Sequence, residues 1–289
     1  KNIIINTIKI FIINLILLQI YLMQKILIIF NFKYYLKGEF FNKFLVQTTD
    51  VGVKSGTITF HTPNAVTRAR AELIYDKEPE TIEWINNFKR NCIFWDIGAN
   101  VGIYSIYAAS EINGANVIAF EPSIENYYLL NRNISENNLS KRVLCLPFAL
   151  SDGSGAQDFQ HLNIEFGGSI NSFGVNYSHD GLPAEFIHQY RVIGLRADDV
   201  PKIFGVPQPN YLKIDVDGIE HLIAKGAEAI LSNSALKSVM IELNLNFSDQ
   251  HETVSQIFSR SGLKLAEVFT PNLSGPPSTA QTFNHLFIR

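Results

Sequence analysis

A doubly wound α/β fold is what this sequence predicts, and three observations predict it. Apolar runs that read as strands alternate with helical patterns roughly every twenty-five residues between residues 92 and 244, the rhythm of a parallel sheet with helices on both faces. The first of those strands runs into a glycine-spaced turn, Asp96-Ile-Gly-Ala-Asn-Val-Gly102, which opens a helix. The chain has 289 residues, 46% of them hydrophobic, enough apolar material for one large core.

The elements follow in order. Cys92 to Trp95 reads as a buried strand, and Ile103, Ile106, Tyr107 and Ala108 give the face of the helix after the turn, which Gly114 breaks. Asn116 to Phe120 is the second strand, ending at Glu121-Pro122. Ser123 can cap a helix with apolar positions Ile124, Tyr127, Tyr128, Leu130 and Ile134, which Asn137-Asn138 ends. Residues 142–150 read as one continuous third strand, closed by the turn Ser151-Asp-Gly-Ser-Gly155. Residues 155–205 break the rhythm with Gly167, Gly168, Gly174, Gly181 and unphased aromatics, and are expected to be a substrate-facing insertion with short strands such as 190–195. His161, His179 and His188 lie within it, each most simply a surface histidine. Residues 211–216 form the fourth strand, followed by a helical stripe of Ile219, Leu222, Ile223, Ala227, Ile230 and Leu231. Residues 237–243 form the fifth, and 263–270 with 283–289 read as a closing antiparallel pair.

In such sheets ligands sit beyond the carboxyl ends of the strands. The order of residues in the first turn selects the ligand. A dinucleotide turn brings a helix N-terminus to a pyrophosphate, which a carboxylate would repel. Here Asp96 precedes Gly98, Asn100 and Gly102, which suits a cofactor with a cationic head and no phosphates, S-adenosylmethionine, and counts against a nicotinamide-dependent oxidoreductase. Glu121, nineteen residues after Gly102, ends the next strand, where a carboxylate can accept both ribose hydroxyls of an adenosine. Ala149 and Asp152 are expected at the same edge.

The second constellation is Lys213-Ile-Asp-Val-Asp-Gly-Ile-Glu220-His221. Asp217 and Glu220 have the spacing of a capping box, and a catalytic reading stands beside that one. Asp215 sits near the carboxyl edge, where a buried carboxylate needs a cation or donors. Strand alternation is read as turning Lys213 to the opposite face, away from it. Asp215, Asp217, Glu220 and His221 are therefore the candidates for removing an acceptor proton. Asp215 with Glu242 or Asn244 is the candidate set for a hard ion such as Mg²⁺.

Composition narrows the partners. A net charge of −3 gives no basic face for nucleic acid. Cys92 and Cys145 both fall in expected strands, which favours a reducing compartment over a disulfide framework, and no Cys/His spacing suggests zinc. Residues 1–60 are expected to be a hydrophobic N-terminal extension, with the catalytic domain over 61–289. Between Lys9 and Lys25 lie fifteen mostly apolar residues. As a helix these reach only about 22 Å against a hydrocarbon core of ~30 Å. Three readings stay open for residues 1–33: a helix in peripheral contact with a membrane, a helix packed on the catalytic domain, or sequence outside the working protein. A cytoplasmic protein, membrane-associated through those residues under the first reading, is the expectation.

With these residues in view the chain resembles the FkbM-type family of S-adenosylmethionine-dependent methyltransferases. The matching stretches are Asp96 to Ser105, Phe120-Glu-Pro-Ser123, Leu195-Arg-Ala-Asp-Asp-Val200, Lys213 to Glu220 and Lys225-Gly-Ala227, within about residues 75–245. Asp217 stands where the family often has Glu, and Ala197 where Thr or Ser is common. The resemblance implies a seven-stranded, Rossmann-like methyltransferase sheet, mostly parallel with a C-terminal antiparallel hairpin. It also implies O-methylation of a sugar, glycan or secondary-metabolite hydroxyl. A protein acceptor, and a non-catalytic adenosyl-cofactor-binding protein, are the alternatives.

Overall fold

The computed structural model describes residues 13–22, 25, 47–269 and 282–289. One compact unit spans Thr48–Arg289 and a separate one Lys1–Gln47. The first two strands, β1 (Thr48–Val53) and β2 (Gly56–His61), form an antiparallel hairpin that belongs to the larger unit, although the sequence reading counted most of it with the extension. Ile58 and Phe60 alternate inward and are buried, and the His61 and Thr59 amides donate to Asn133 and Asn137 of a later helix, both at 2.8 Å. In the smaller unit a helical stretch covers residues 13–22. No described helix is long and apolar enough to cross a membrane.

The larger unit is a mixed α/β fold around a mostly parallel sheet. Among the described residues the sheet holds β3 (Ile93–Ile97), β4 (Asn116–Phe120), β5 (Val143–Leu146), β10 (Tyr211–Ile214), β11 (Ser238–Asn244), β12 (Lys264–Phe269) and β13 (Thr282–Ile288), in the order β12-β13-β11-β10-β3-β4-β5. The five strands from β11 to β5 are parallel, while β13 and β12 run antiparallel at one edge. Alternation along each strand feeds two cores. Phe94, Val117 and Tyr211 pack on one face with α1 (Ala65–Glu72), α2 (Pro79–Asn86), α3 (Ile103–Glu111) and α4 (Ile124–Glu136). Trp95, Ile118 and Leu212 pack on the other with α6 (Glu220–Gly226), α7 (Glu228–Ser232) and α8 (Ser248–Arg260). Burial on both faces explains why these strands read as continuous apolar runs. The short helix α5 (Val200–Phe204) leads from the insertion back to β10.

The expected third strand is not continuous. Residues 143–146 join the main sheet, but Pro147 has no amide to donate to a ladder. After it β6 (Ala149–Ser151) pairs with a second sheet, order β6-β9-β7-β8, built from β7 (Gly155–His161), β8 (Asn171–Phe173) and β9 (His188–Arg196). The insertion is therefore mostly sheet. Gly226, at the end of α6, allows that helix to lie against β6: a Cβ there would meet the Ser151 carbonyl oxygen at 2.0 Å.

Candidate active site

The parallel strands end together at a cavity of about 210 Å³. Its floor is the turn after β3. Gly98 has φ +82, and a Cβ on it would meet the Asp215 carbonyl oxygen at 1.8 Å, so only glycine lets the ends of β3 and β10 approach this closely. The amides of Gly98 and Ala99 both donate to the Phe120 carbonyl at 3.0 Å, which ties the turn to β4. Asn100, itself at φ +51, presents its amide to Glu121 Oε2 at 2.7 Å. Glu121 Oε1 accepts from the Ser123 amide at 2.8 Å, and Ser123 Oγ caps α4. Burial pushes the Glu121 carboxyl up to about 7 against those two amide bonds.

Gly98, Asn100, Glu121, Ala149, Asp215, Asp217 and Glu242 all line this cavity. The other expected residues do not. Asp96 is buried behind the turn, where its Oδ2 accepts the Ser105 hydroxyl at 2.6 Å and burial raises its pKa. Gly102 serves as the N-cap of α3 at φ 90. Asp152 is exposed, with its backbone carbonyl accepting from Arg196 at 2.9 Å.

Around β10 three expectations are corrected. Residues two apart on a strand share a face, so Lys213 is not turned away from Asp215: its Nζ lies 2.5 Å from Asp215 Oδ2. Lys213 is 2% exposed, and its ammonium also lies 3.9 Å from Glu78 Oε2 and over the Tyr104 ring. These anions hold it charged, well above the usual lysine range, despite burial. Nor do Asp217 and Glu220 form a capping box. Helix α6 begins after Ile219, and Asp217 sits at φ +63 with its Oδ2 accepting from the amides of Ile170 at 2.6 Å and Asn171 at 3.4 Å. Glu220 folds back under the same loop, accepting from the amides of Val216 and Gly218 and from Gln250 Nε2. Burial pushes its carboxyl up to about 8. His221 is buried against Phe247, its Nε2 is 3.5 Å from the Tyr177 hydroxyl, and its Nδ1 has no partner; burial lowers it to about 4.

The third correction concerns the ion set. Asn244 turns into the loop after β11, where its Oδ1 accepts from the Asn246 amide at 2.9 Å. It does not line the cavity with Asp215 and Glu242. Among the described residues no group of three or more His, Cys, Asp or Glu is placed to hold a metal. Glu242 has no hydrogen-bond partner among the described residues, and burial with the nearby Asp215 charge raises its carboxyl well above the usual range.

The insertion closes the cavity from above. Gly168 O accepts from Asn100 Nδ2 at 2.8 Å and Asn126 Nδ2 at 3.0 Å, and Gly167 N donates to Asn126 Oδ1 at 2.8 Å. With the Asp217 bonds, this strap ties the glycine turn, α4 and the loop after β10 into one wall. Phe159 and Phe173 add an apolar side. Asn171 also lines the cavity, and its Oδ1 is buried without a partner. Arg70, Lys77, Asn126, Asn171 and the two phenylalanines are lining residues that sequence reading missed. Nothing local marks them, since they come from helix surfaces, from the turn after α1 and from the short strands of the insertion.

Comparison with known proteins gives this geometry a family. The methyltransferase FkbM domain model matches residues 96–265, more than half of the chain. Hexuronic acid methyltransferase AglP of Haloferax volcanii is 26% identical over 164 residues, covering 57% of this chain and 62% of that protein. Methyltransferase sdnD of Sordaria araneosa is 34% identical over 93 residues, covering 32% of this chain and 36% of that protein. The matches thus span less than two thirds of either relative. A crystal structure of methyltransferase FkbM from Methylobacillus flagellatus aligns with a TM-score of 0.46 at 16% identity, over 78% of this chain and 53% of that one. On the family match, this chain belongs to the FkbM methyltransferases.

Proposed function

We propose that this methyltransferase takes its methyl group from S-adenosylmethionine and delivers it to a hydroxyl of a sugar, glycan or small metabolite. The observation that carries the cofactor reading is the charge of the cavity: Glu121, Asp215, Asp217 and Glu242 line one space of about 210 Å³. Against the two cations that line the same space, Arg70 and Lys77, the four carboxyls leave an excess of acidic groups, which opposes a pyrophosphate and suits a ligand with net positive charge. When bound, S-adenosylmethionine would supply an electrophilic methyl on a positively charged sulfur.

The chain's own groups divide the remaining work. Each Glu121 oxygen uses one lone-pair site on a backbone amide and keeps one for a ribose hydroxyl. Asp215, paired with buried Lys213 at 2.5 Å, faces the positive charge of the cofactor. A sugar hydroxyl is too weak an acid to ionise unaided, so a carboxylate must take its proton as the methyl arrives. We assign that role to Glu242, the cavity carboxyl with no hydrogen-bond partner among the described residues, with Asp217 as the neighbouring group that fixes the strap. Glu220 and His221 then support the loop. A carbohydrate acceptor accords with the name of one relative, a hexuronic acid methyltransferase. In the domain plan the unit Thr48–Arg289 carries catalysis, and peripheral membrane contact is one of the three readings that stay open for residues 1–33.

Methyl transfer from labelled S-adenosylmethionine to a panel of uronic acids, neutral sugars and a protein extract tests the reading. Glu242→Gln should keep cofactor affinity and lose most turnover on a hydroxyl acceptor. Unchanged turnover would remove Glu242, and transfer to protein alone would replace the acceptor class.

A further inference from the structure

An α-amino acid is a zwitterion, so a site for one needs a cation and an anion a few ångströms apart. The glycine-turn end of the cavity offers both. Arg70, Lys77, Gly98, Asn100 and Asp215 line the main cavity and also a smaller one of about 40 Å³ that adjoins it. Asp215 is the anion, its charge secured by Lys213 at 2.5 Å. Lys213 is consumed by that bond and buried. Of the other two cations, Lys77 is half exposed with its Nζ 2.8 Å from Glu78 Oε1. Arg70, in the last turn of α1, is held by one edge: its Nε donates to Gly167 O at 2.7 Å, and Gly167 is itself pinned to Asn126. No described residue accepts from its two terminal nitrogens. A guanidinium clamped at Nε presents a planar pair of donors, the fork that matches both oxygens of a carboxylate.

We propose that Arg70, with Lys77 beside it, is a carboxylate-binding subsite that takes the α-carboxylate of the methionyl end of the cofactor, opposite Asp215 for the ammonium. The inference rests on the S-adenosylmethionine reading and deepens it. Arg70, in α1, and Lys77, in the turn between α1 and α2, lie before the residues that the family model covers, 96–265, so the subsite is a property of this chain's own segment ahead of the matched domain. The strap links it to the insertion, because one carbonyl, Gly167 O, orients the arginine.

Decarboxylated S-adenosylmethionine isolates the contact, since it keeps the adenosyl group, the sulfonium and the ammonium and lacks only the carboxylate. Dissociation constants for both compounds should be measured by calorimetry on the full chain and on Arg70→Met, Arg70→Lys and Lys77→Met. A charge-assisted bond predicts that the unmutated chain prefers the carboxylated compound by roughly tenfold or more. Arg70→Met should bring that ratio close to one while the decarboxylated compound binds within about twofold of its original affinity. Arg70→Lys, which cannot span two oxygens, should lose part of the preference and keeps the measurement available if the methionine variant does not fold. Equal weakening of both compounds would show that Arg70 only anchors the strap, and an unchanged ratio would overturn the subsite. Failure of the folded, unmutated chain to bind either compound would instead overturn the cofactor reading, and the subsite with it.

Discussion

Replacing Gly98 with alanine should do far more harm than the same change at Gly205, although both glycines occupy the left-handed region, at φ +82 and φ +65. At Gly205 an added Cβ meets nothing within 4 Å, so the cost is the backbone term alone, about 1–2 kcal/mol for an L-residue in that conformation. At Gly98 the same term is joined by a collision with backbone. The new carbon would stand 1.8 Å from the Asp215 carbonyl oxygen, 2.8 Å from its carbon and 3.1 Å from Val216 Cγ1. Relief to ordinary contact requires β3 and β10 to part by more than 1 Å, against the Asp215 N to Ile97 O bond of 3.1 Å. Overpacking of that kind adds about 1–3 kcal/mol, giving a total of roughly 2–5 kcal/mol. Urea unfolding of the two variants measures the difference directly, and calorimetric titration with S-adenosylmethionine reads the displaced turn. Equal midpoints for the two variants, or an undiminished affinity in Gly98→Ala, would refute the close approach of the turn to β10.

Three further outcomes follow from the buried charges. Lys213→Met leaves Asp215 and Asp96 without their cation, and Glu78 with Lys77 alone, and should destabilise the unliganded protein by about 3–5 kcal/mol. Adding Asp215→Asn should recover part of that loss, whereas strictly additive losses in denaturation would mean the pair is not coupled. Glu220, raised by burial to about 8, binds its proton more tightly folded than unfolded. Its contribution is therefore complete below pH ~4.5 and declines as pH rises to about 8, by roughly 5 kcal/mol at most. Glu220→Gln should flatten the stability curve over that window, and an unaltered slope would contradict the burial argument. His221 has the opposite sign: lowered to about 4, it stabilises above pH ~6.5 and loses that contribution as pH falls toward 4. His221→Phe should accordingly gain relative stability at pH 5 in thermal melts, and a variant that loses it would indicate a charged histidine.

How much of this was legible in the sequence depends on how local each signal is. The glycine turn, Glu121 and the Ser123 cap lie on contiguous stretches whose spacing and strand-to-helix order are local properties, and the structure brings Gly98, Asn100 and Glu121 to one cavity. The alternation that buries both faces of the sheet was visible as apolar runs. Pro147 is equally visible, yet the run around it reads as one strand, because the second sheet that captures Ala149–Ser151 is made by residues 45 positions further on. Lys213 and Asp215 are a plainer lesson, since a period of two puts them on one side and only the register can misassign them. Asp96 is the subtler case. Its position before the glycine points in the sequence to a cationic cofactor, whereas its side chain lies behind the turn on Ser105 and does not line the cavity. Arg70, Lys77 and Asn171 reach the cavity by tertiary packing alone, and no spacing in the chain announces them.

Titration of the purified chain with S-adenosylmethionine, beside Glu121→Ala and with NAD as the comparison ligand, tests the central claim most directly. The account predicts saturable, one-site binding of S-adenosylmethionine, loss of at least tenfold in affinity on removing a carboxylate that hydrogen-bonds the ligand, and no binding of NAD. Absence of binding by the folded chain, or binding that Glu121→Ala leaves intact, would contradict it.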